Sequence, residues 1–263
     1  MTHAEARLTD VWTQVDGRAM YARVSAGAET SSPPMVLVHG LGVSGRYLLP
    51  TARRLMPEYP VFVPDLPGWG KSKKPPHPLT IPQATDALAA WMRAMDLSNA
   101  CLIGNSLGCQ FIIDLAVRYP DLVGRAVLVG PTIDPAARTV IGQMLRGTRD
   151  LFREPLSYWP LLARDYLIAG PLRTLKTLRY ALADPVLDKL PRVAAPTLVV
   201  RGSRDPIAPQ PWVEEMVRRL PHGRLVVIPG AAHVANYTAP DELAAVVRAF
   251  VREWSTLQES VVG

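Results

Sequence analysis

The chain has 263 residues, of which 48% are hydrophobic and 20% charged, a composition typical of a globular protein with a full core. Its net charge is +6, but the basic residues form no lysine-rich run and no stripe interleaved with aromatic residues. We therefore expect no nucleic-acid partner. No run of about 18 apolar residues and no leader-like segment is present, so we expect no stable membrane insertion and a cytoplasmic location. The two cysteines, Cys101 and Cys109, give neither a disulfide framework nor metal-ligand spacing.

Taken in chain order, the predicted elements begin with an antiparallel hairpin. Residues 11–27 alternate in polarity around Asp16 and Gly17, as edge hairpins do. Short apolar runs that end in Gly, Pro or Asp then alternate with helical segments. Because these runs are continuously apolar, we predict an α/β fold with a mostly parallel eight-stranded sheet and helices on both faces. The apolar runs are residues 34–40, 60–68, 100–104, 125–130, 196–202 and 224–230.

One stretch breaks this alternation. Residues 131–190, which we call the inserted segment, have helical patterns and no strand signal, and they follow the sixth predicted strand. Ligands of parallel sheets bind beyond the carboxyl ends of the strands. We therefore predict that the inserted segment is a helical cap over such a site. The core is then expected to have two parts, residues 1–130 and 191–263.

The pentapeptide Gly-Asn-Ser-Leu-Gly, residues 104–108, lies where a predicted strand becomes a helix. Reversing the chain within about four residues forces Ser106 to a positive φ and leaves room only for glycine two positions before and after it. The hydroxyl then lies at a helix N-terminus, whose dipole favours developing negative charge. A helix cap would not require both glycines. Ser106 is therefore the predicted nucleophile.

A nucleophilic serine needs a base and a group that orients the base. His233 follows the last predicted strand in a loop of small residues, at the sheet edge expected for Ser106. Asp205 follows the strand at 196–202, which gives the nucleophile–acid–base order along the chain. Asp134, after the strand at 125–130, is the alternative acid.

The loop His-Gly-Leu-Gly, residues 39–42, follows a buried strand and faces the same sheet edge. Its glycines allow backbone N–H groups to turn toward the serine. We predict an oxyanion hole formed by the N–H groups of Leu41 and Leu107, with Gly42 as the alternative donor. His39 is either an organiser of this loop or a substrate contact.

With these motifs, together with Asp65–Ser72 (DLPGWGKS), Gly202–Pro209 (GSRDPIAP) and Gly230–His233 (GAAH), the chain resembles enzymes of the α/β-hydrolase fold from about residue 10 to 254. The resemblance implies a Ser106–His233–Asp205 triad and acyl-enzyme chemistry that needs neither metal nor cofactor. A serine at position 106 differs from the aspartate of epoxide hydrolases and haloalkane dehalogenases.

The reaction subtype is less sharply indicated. Asn105 is shared with meta-cleavage product hydrolases, but Gly-Leu-Gly replaces their glycine-rich loop and Val234 stands where they usually have tryptophan. The chain is more similar to small carboxylesterases, which implies a small-molecule ester or thioester with an apolar acyl group. The alternatives are C–C bond hydrolysis, acyl transfer, perhydrolase or haloperoxidase-like chemistry, and a slow hydrolase that acts as a ligand receptor.

The inserted segment is rich in apolar and aromatic residues, which we expect to line an acyl pocket or to attach the segment to the core. It also carries an excess of arginines between residues 138 and 179, which suggests either an anionic substrate or carrier, or a solvated arginine-rich surface. The predicted substrate-binding residues are Gly42, Asn105, Met144, Phe152, Trp159, Tyr166 and Val234.

Overall fold

A computed structural model describes residues 7–25 and 32–262, with side chains described as far as residue 253. Its eight strands form one sheet in which only the first two pairings are antiparallel. The strands are β1 (Leu8–Val15), β2 (Arg18–Ser25), β3 (Met35–Val38), β4 (Val61–Pro64), β5 (Ala100–Asn105), β6 (Val123–Val129), β7 (Thr197–Gly202) and β8 (Gly223–Ile228), and their order is β1-β2-β4-β3-β5-β6-β7-β8. The predicted sheet is confirmed.

The hairpin at the sheet edge turns at Asp16 and Gly17, which both have positive φ, 49° and 73°. The interior strands β3, β5 and β7 are buried along their whole length, as their continuous apolar sequences predict. Gly104 in β5 lies opposite Val38 in β3 and Leu128 in β6. This register brings the carboxyl ends of three strands side by side at the serine motif.

Helices cover both faces of the sheet and bury two hydrophobic clusters, one on each face. No helix of the described residues has the length and apolar composition needed to cross a membrane. The helices are α1 (Leu49–Leu55), α2 (Ile81–Ala94), α3 (Leu107–Arg118), α4 (Val140–Leu151), α5 (Trp159–Ala169), α6 (Pro171–Ala183), α7 (Val186–Lys189), α8 (Gln210–Arg219), α9 (Ala235–Thr238) and α10 (Pro240–Val262).

Two predicted helices differ from the observed ones at their ends. The helical pattern of residues 44–56 predicts one helix, but the structure has a 3₁₀ turn at Gly45–Leu48 before α1, whose second residue is Pro50. Proline fits the first turn of a helix because the N–H groups there have no partner within the helix. Toward the end of the chain, the pattern of residues 241–254 predicts a helix, and the observed α10 extends beyond residue 254.

The inserted segment contains α4 to α7 and no strand. Its last part is fastened to the core by Lys189, whose ammonium group lies 2.7 Å from Asp114 on α3. Several of its apolar side chains are exposed, namely Ile141, Met144, Leu145, Phe152, Leu156, Leu167 and Leu172. The segment lies at the carboxyl ends of the strands, where its helices and the core loops together line a cavity.

Candidate active site

Ser106 occupies the sharp turn between β5 and α3, with φ 58° and ψ −120°. A Cβ on Gly104 would lie 2.7 Å from the backbone carbon of Gly108, and a Cβ on Gly108 would collide with the carbonyl oxygen of Val38. The turn is further held by the N–H of Ser106, which donates to the carbonyl of Val129 at 2.9 Å. Only glycine at both positions allows this turn, and so the serine is held in a strained conformation by its neighbours.

Asp205 and His233 lie together at the ends of β7 and β8. Nδ1 of His233 is 3.0 Å from Oδ2 of Asp205, and both side chains are buried. The second carboxylate oxygen of Asp205 accepts the N–H groups of Ile207 and Ala208 at 2.8 and 3.0 Å. The carboxylate is therefore fixed and orients the imidazole. Asp134, the alternative acid, is instead paired with Arg146 at 2.6 Å.

A glycine that the sequence analysis did not single out makes room for these two side chains. Gly130, directly after β6, has φ 54°. A Cβ at this position would lie 2.9 Å from both Oδ2 of Asp205 and Nδ1 of His233. The only sequence signal for the importance of Gly130 is its place at the end of a predicted strand, because its neighbours Asp205 and His233 are far from it along the chain.

Ser106 and His233 line the same cavity, which has a volume of about 360 Å³ and also includes Leu41 and Leu107 in its wall. This volume lies in the range of small-molecule sites. Leu107 is the first residue of α3, and so its N–H has no acceptor within the helix. The predicted nucleophile Ser106 and base His233 thus line the same cavity as Leu41 and Leu107, the residues of the predicted oxyanion hole.

The loop that carries Leu41 is fixed from two sides. Nε2 of His39 accepts the N–H of Leu66 at 3.0 Å, and Nδ1 lies 2.9 Å from the carbonyl oxygen of Gly40. These are the contacts of a loop organiser, and His39 is wholly buried. Gly42 has φ 75°, and a Cβ there would collide with the ring of Tyr166, so glycine lets the inserted segment approach this loop. Gly42 itself does not line the cavity described above.

Asn105 connects the parts of the site. Its amide nitrogen donates to the carbonyls of Val129 and His233 at 3.1 and 3.0 Å. Its amide oxygen accepts the hydroxyl of Tyr47 at 2.8 Å, and that hydroxyl in turn accepts the N–H of Gly40. Asn105 borders the cavity, as predicted for a substrate-binding residue, but its amide is engaged by the protein itself. The arrangement gives Asn105 a positioning function.

The predicted pocket residues of the inserted segment divide into two groups. Met144, Tyr166 and the core residue Val234 line the cavity with Ser106. Phe152 does not: its side chain is 75% exposed and its ring packs edge-on against Trp159. Trp159 lines a neighbouring apolar cavity of about 290 Å³ instead. The prediction for Phe152 is corrected: the residue lies just after the end of α4, where helical periodicity no longer determines the direction of its side chain.

Two carboxylates of the inserted segment that were not predicted as site residues contact the backbone of the loop that carries His233, which we call the histidine loop. Oδ1 of Asp150 accepts the N–H of His233 at 3.2 Å, and Oε1 of Glu154 accepts the N–H of Val234 at 2.9 Å. Burial raises the pKa of Asp150 to about 6 and that of Glu154 to about 7. No local sequence signal identifies them, because the contacts join residues about 80 positions apart.

These carboxylates also act on the imidazole. Burial disfavours its charged form, but the carboxylates of Asp205, Asp150 and Glu154 outweigh burial and raise the pKa of His233 to about 9. Asp205 contributes through a direct contact as well as its charge, whereas the other two act through charge alone. Proton affinity at the histidine is therefore set by both the core and the inserted segment.

The inserted segment holds the Leu41 loop in the same manner. Oδ2 of Asp165, on α5, accepts both the N–H and the hydroxyl of Ser44 at 2.8 and 2.6 Å. Asp165 and Ser44 are both buried. Carboxylates of the inserted segment thus accept hydrogen bonds from the backbone N–H groups of two different core loops.

A mostly parallel eight-stranded sheet of this order, with a serine at a strained strand–helix turn, defines the α/β-hydrolase fold. Residues 35–246 match the model of the alpha/beta hydrolase family, and the chain belongs to that family.

Individual relatives are more distant. The chain is 28% identical to pimeloyl-(acyl-carrier protein) methyl ester esterase of Xanthomonas campestris pv. campestris, over 83% of this chain and 95% of the relative. It is 26% identical to 2-(acetamidomethylene)succinate hydrolase of Mesorhizobium japonicum, over 80% and 85%. Among solved structures, a thermophilic esterase from Thermogutta terrifontis superposes with a TM-score of 0.79 at 23% identity, over 93% of this chain and 98% of that one. These comparisons agree on a hydrolase.

Proposed function

We propose that the protein is a serine hydrolase that cleaves a small carboxylic ester with an apolar acyl group. The observation that carries this proposal is the strained turn at Ser106, which shares a cavity with a His233 imidazole held by Asp205. Relatives that are named esterases support the choice of an ester. We propose a cytoplasmic location and a reaction without metal or cofactor.

In the proposed mechanism, Nε2 of His233 takes the hydroxyl proton of Ser106 while Oγ attacks the carbonyl carbon of the ester. Asp205 keeps the Nδ1 proton on its own side of the ring and stabilises the imidazolium. The N–H groups of Leu41 and Leu107 stabilise the oxyanion. His233 returns the proton to the leaving alcohol, and water then releases the acid by the same steps.

We propose that residues 131–190 act as a cap that supplies the apolar wall, because Met144, Leu151, Leu162 and Leu178 line the cavity. Several arginines of this segment bind core or segment carbonyls and so support attachment of the cap. Arg146 donates to Ile207, Arg153 to Arg204 and Arg173 to Pro75, at 3.1, 2.7 and 2.8 Å. This pattern favours a structural explanation of the arginine excess over an anionic carrier.

The test is labelling with a fluorophosphonate together with a chain-length series of nitrophenyl esters. We expect the wild-type protein to be labelled and to prefer acyl chains of intermediate length. Ser106→Ala should abolish labelling and lower kcat by about 10⁴-fold or more, because the nucleophile is lost. The matched control is Ser98→Ala, at an exposed serine before β5, the end of that strand opposite to Ser106. Retained turnover in Ser106→Ala would refute the proposal.

A further inference from the structure

The cavity at Ser106 has an unusual charge balance for a site covered by an arginine-rich segment. Of the described side chains in its wall, the two carboxylates are Asp150 and Glu154, and His233 is the one basic group. No lysine or arginine of the described residues lines it. The remaining wall is mostly apolar, with a few neutral polar groups. A substrate anion would find no fixed cation there other than the histidine needed as the base.

Glu154 lines this cavity and has one carboxylate oxygen without a hydrogen-bond donor in the described part of the chain. The residue is 6% exposed, and Oε1 accepts the N–H of Val234. Oε2 is buried and has no hydrogen-bond partner among the described residues. Burying an acceptor without a donor is unfavourable, and more so when the group is charged. A donor supplied by the substrate would remove this cost.

We infer that Glu154 forms a subsite for a hydrogen-bond-donating, positively charged group of the substrate, so that the enzyme prefers ammonium-bearing esters to carboxylate-bearing ones. This inference rests on the proposed function and specifies its substrate class. Asp150, which lies in the same wall, adds a second negative charge. An ammonium group that enters this region is attracted by two carboxylates, and the Coulombic attraction is stronger in a buried site of low dielectric constant than in water.

The groups that face Glu154 are Asp150 on α4, His233 and the Val234 N–H in the histidine loop, and Asp205 after β7. Burial is the main reason that the pKa of Glu154 rises to about 7. At pH 8.5 its carboxyl is therefore ionised, while an alkylammonium group still carries its proton. We choose this pH for the test.

The substrates are three methyl esters of matched length: methyl 6-aminohexanoate, methyl heptanoate and monomethyl pimelate. Methanol release gives kcat/KM for each. We expect the ammonium ester to exceed the carboxylate ester by at least tenfold in the wild-type protein. Equal rates, or faster turnover of the carboxylate ester, would overturn the inference.

The decisive variant is Glu154→Gln, which keeps an oxygen for the Val234 N–H and removes the charge. We expect the ammonium-to-heptanoate ratio of kcat/KM to fall by tenfold or more, whatever change is common to both esters. Glu242→Gln, at an exposed glutamate on α10, should leave the ratio unchanged. Asp150→Asn is the second variant if Glu154→Gln does not fold, and it should lower the same ratio. An unchanged ratio in a folded variant contradicts the subsite.

A binding measurement separates failure of the subsite from failure of the hydrolase proposal. Calorimetric titration of Ser106→Ala with hexylammonium and with hexanoate requires no turnover. Binding of hexylammonium at least tenfold tighter than hexanoate, lost when Glu154→Gln is added, supports the subsite even if none of the esters is hydrolysed. Absence of this preference refutes the subsite even in an active esterase.

Discussion

At the residue scale, the site depends on positions that have no side chain. Gly104 and Gly108 permit the strained turn that holds Ser106, and Gly130 leaves the space that Asp205 and His233 occupy. Each of these glycines lies at the end of a strand or the start of a helix in the sheet centre. The positions of Ser106, Asp205 and His233 therefore depend on the missing side chains of these glycines as much as on hydrogen bonds.

This arrangement makes Gly130 sensitive to the smallest substitution. We expect Gly130→Ala to lower kcat/KM at least about 100-fold, because the added Cβ displaces the imidazole and a displacement of about 1 Å can cost that much. The strained φ should also destabilise the fold by about 1–3 kcal/mol. Ester kinetics and urea unfolding measure the two effects.

The comparison variant is Gly147→Ala, at a helical glycine of α4 with no atom within 4 Å of the added Cβ. It should stabilise the protein by about 0.4–1 kcal/mol. If Gly130→Ala retained full kcat/KM, the described packing around Asp205 and His233 would be wrong.

The high proton affinity of His233 predicts an alkaline rate profile. The base must be neutral, so kcat/KM should rise with pH through the region near the pKa of about 9. Asp150→Asn removes a negative charge near the imidazole and so lowers its pKa. The acidic limb of the profile should therefore move to lower pH. The measurement is kcat/KM for an alkyl ester from pH 6 to 10, and a limb that stays in place or moves upward contradicts the assignment.

At the element scale, the inserted segment contributes hydrogen-bond acceptors as well as cavity wall to the candidate site. Its side chains supply acceptors for the N–H groups of Ser44, His233 and Val234. The acceptors are Asp150 on α4, Glu154 in the turn that follows α4, and Asp165 on α5. Carboxylates that accept backbone N–H groups form stronger hydrogen bonds than neutral acceptors do.

Removing one of these acceptors tests that view. Asp165→Ala should destabilise the protein by about 1–3 kcal/mol, because the buried N–H and hydroxyl of Ser44 lose their partner. We also expect kcat/KM to fall about tenfold as the Leu41 loop loosens. Denaturant unfolding and ester kinetics provide the readout. Asp188→Asn, at an exposed position of α7, is the control, and equal behaviour of the two variants would contradict the role of Asp165.

The elements themselves were largely predictable from the sequence. Strand β5, for example, is continuously apolar up to the asparagine at its end, and this signal is local. The 3₁₀ turn before α1 was not predictable, because Gly45 approaches Val63 and Asp65 of another strand and its loop. Helix ends depend on such tertiary contacts, whereas the existence of a helix depends mainly on its own periodicity.

At the scale of the whole molecule, the fold brings together groups spread over residues 41–233 at one edge of the sheet. Ser106, Asp205 and His233 could be predicted as candidates because each follows a strand and parallel strands end at a common edge. Phe152 was misplaced, and Asp150 and Glu154 were overlooked, because their positions depend on how the inserted segment packs on the core. The core topology is readable in local patterns, but the packing of an insertion on it is not.

The acceptors supplied by the inserted segment restrict how this protein can be re-engineered. Replacing the inserted segment between β6 and β7 with the corresponding segment of a relative would remove the carboxylates at positions 150, 154 and 165. Such a chimera would have a new cavity wall, but the loops that carry Ser44, His233 and Val234 would lose their hydrogen-bond acceptors. Grafts that preserve those three anchoring points are the ones in which specificity can change without disabling the chemistry.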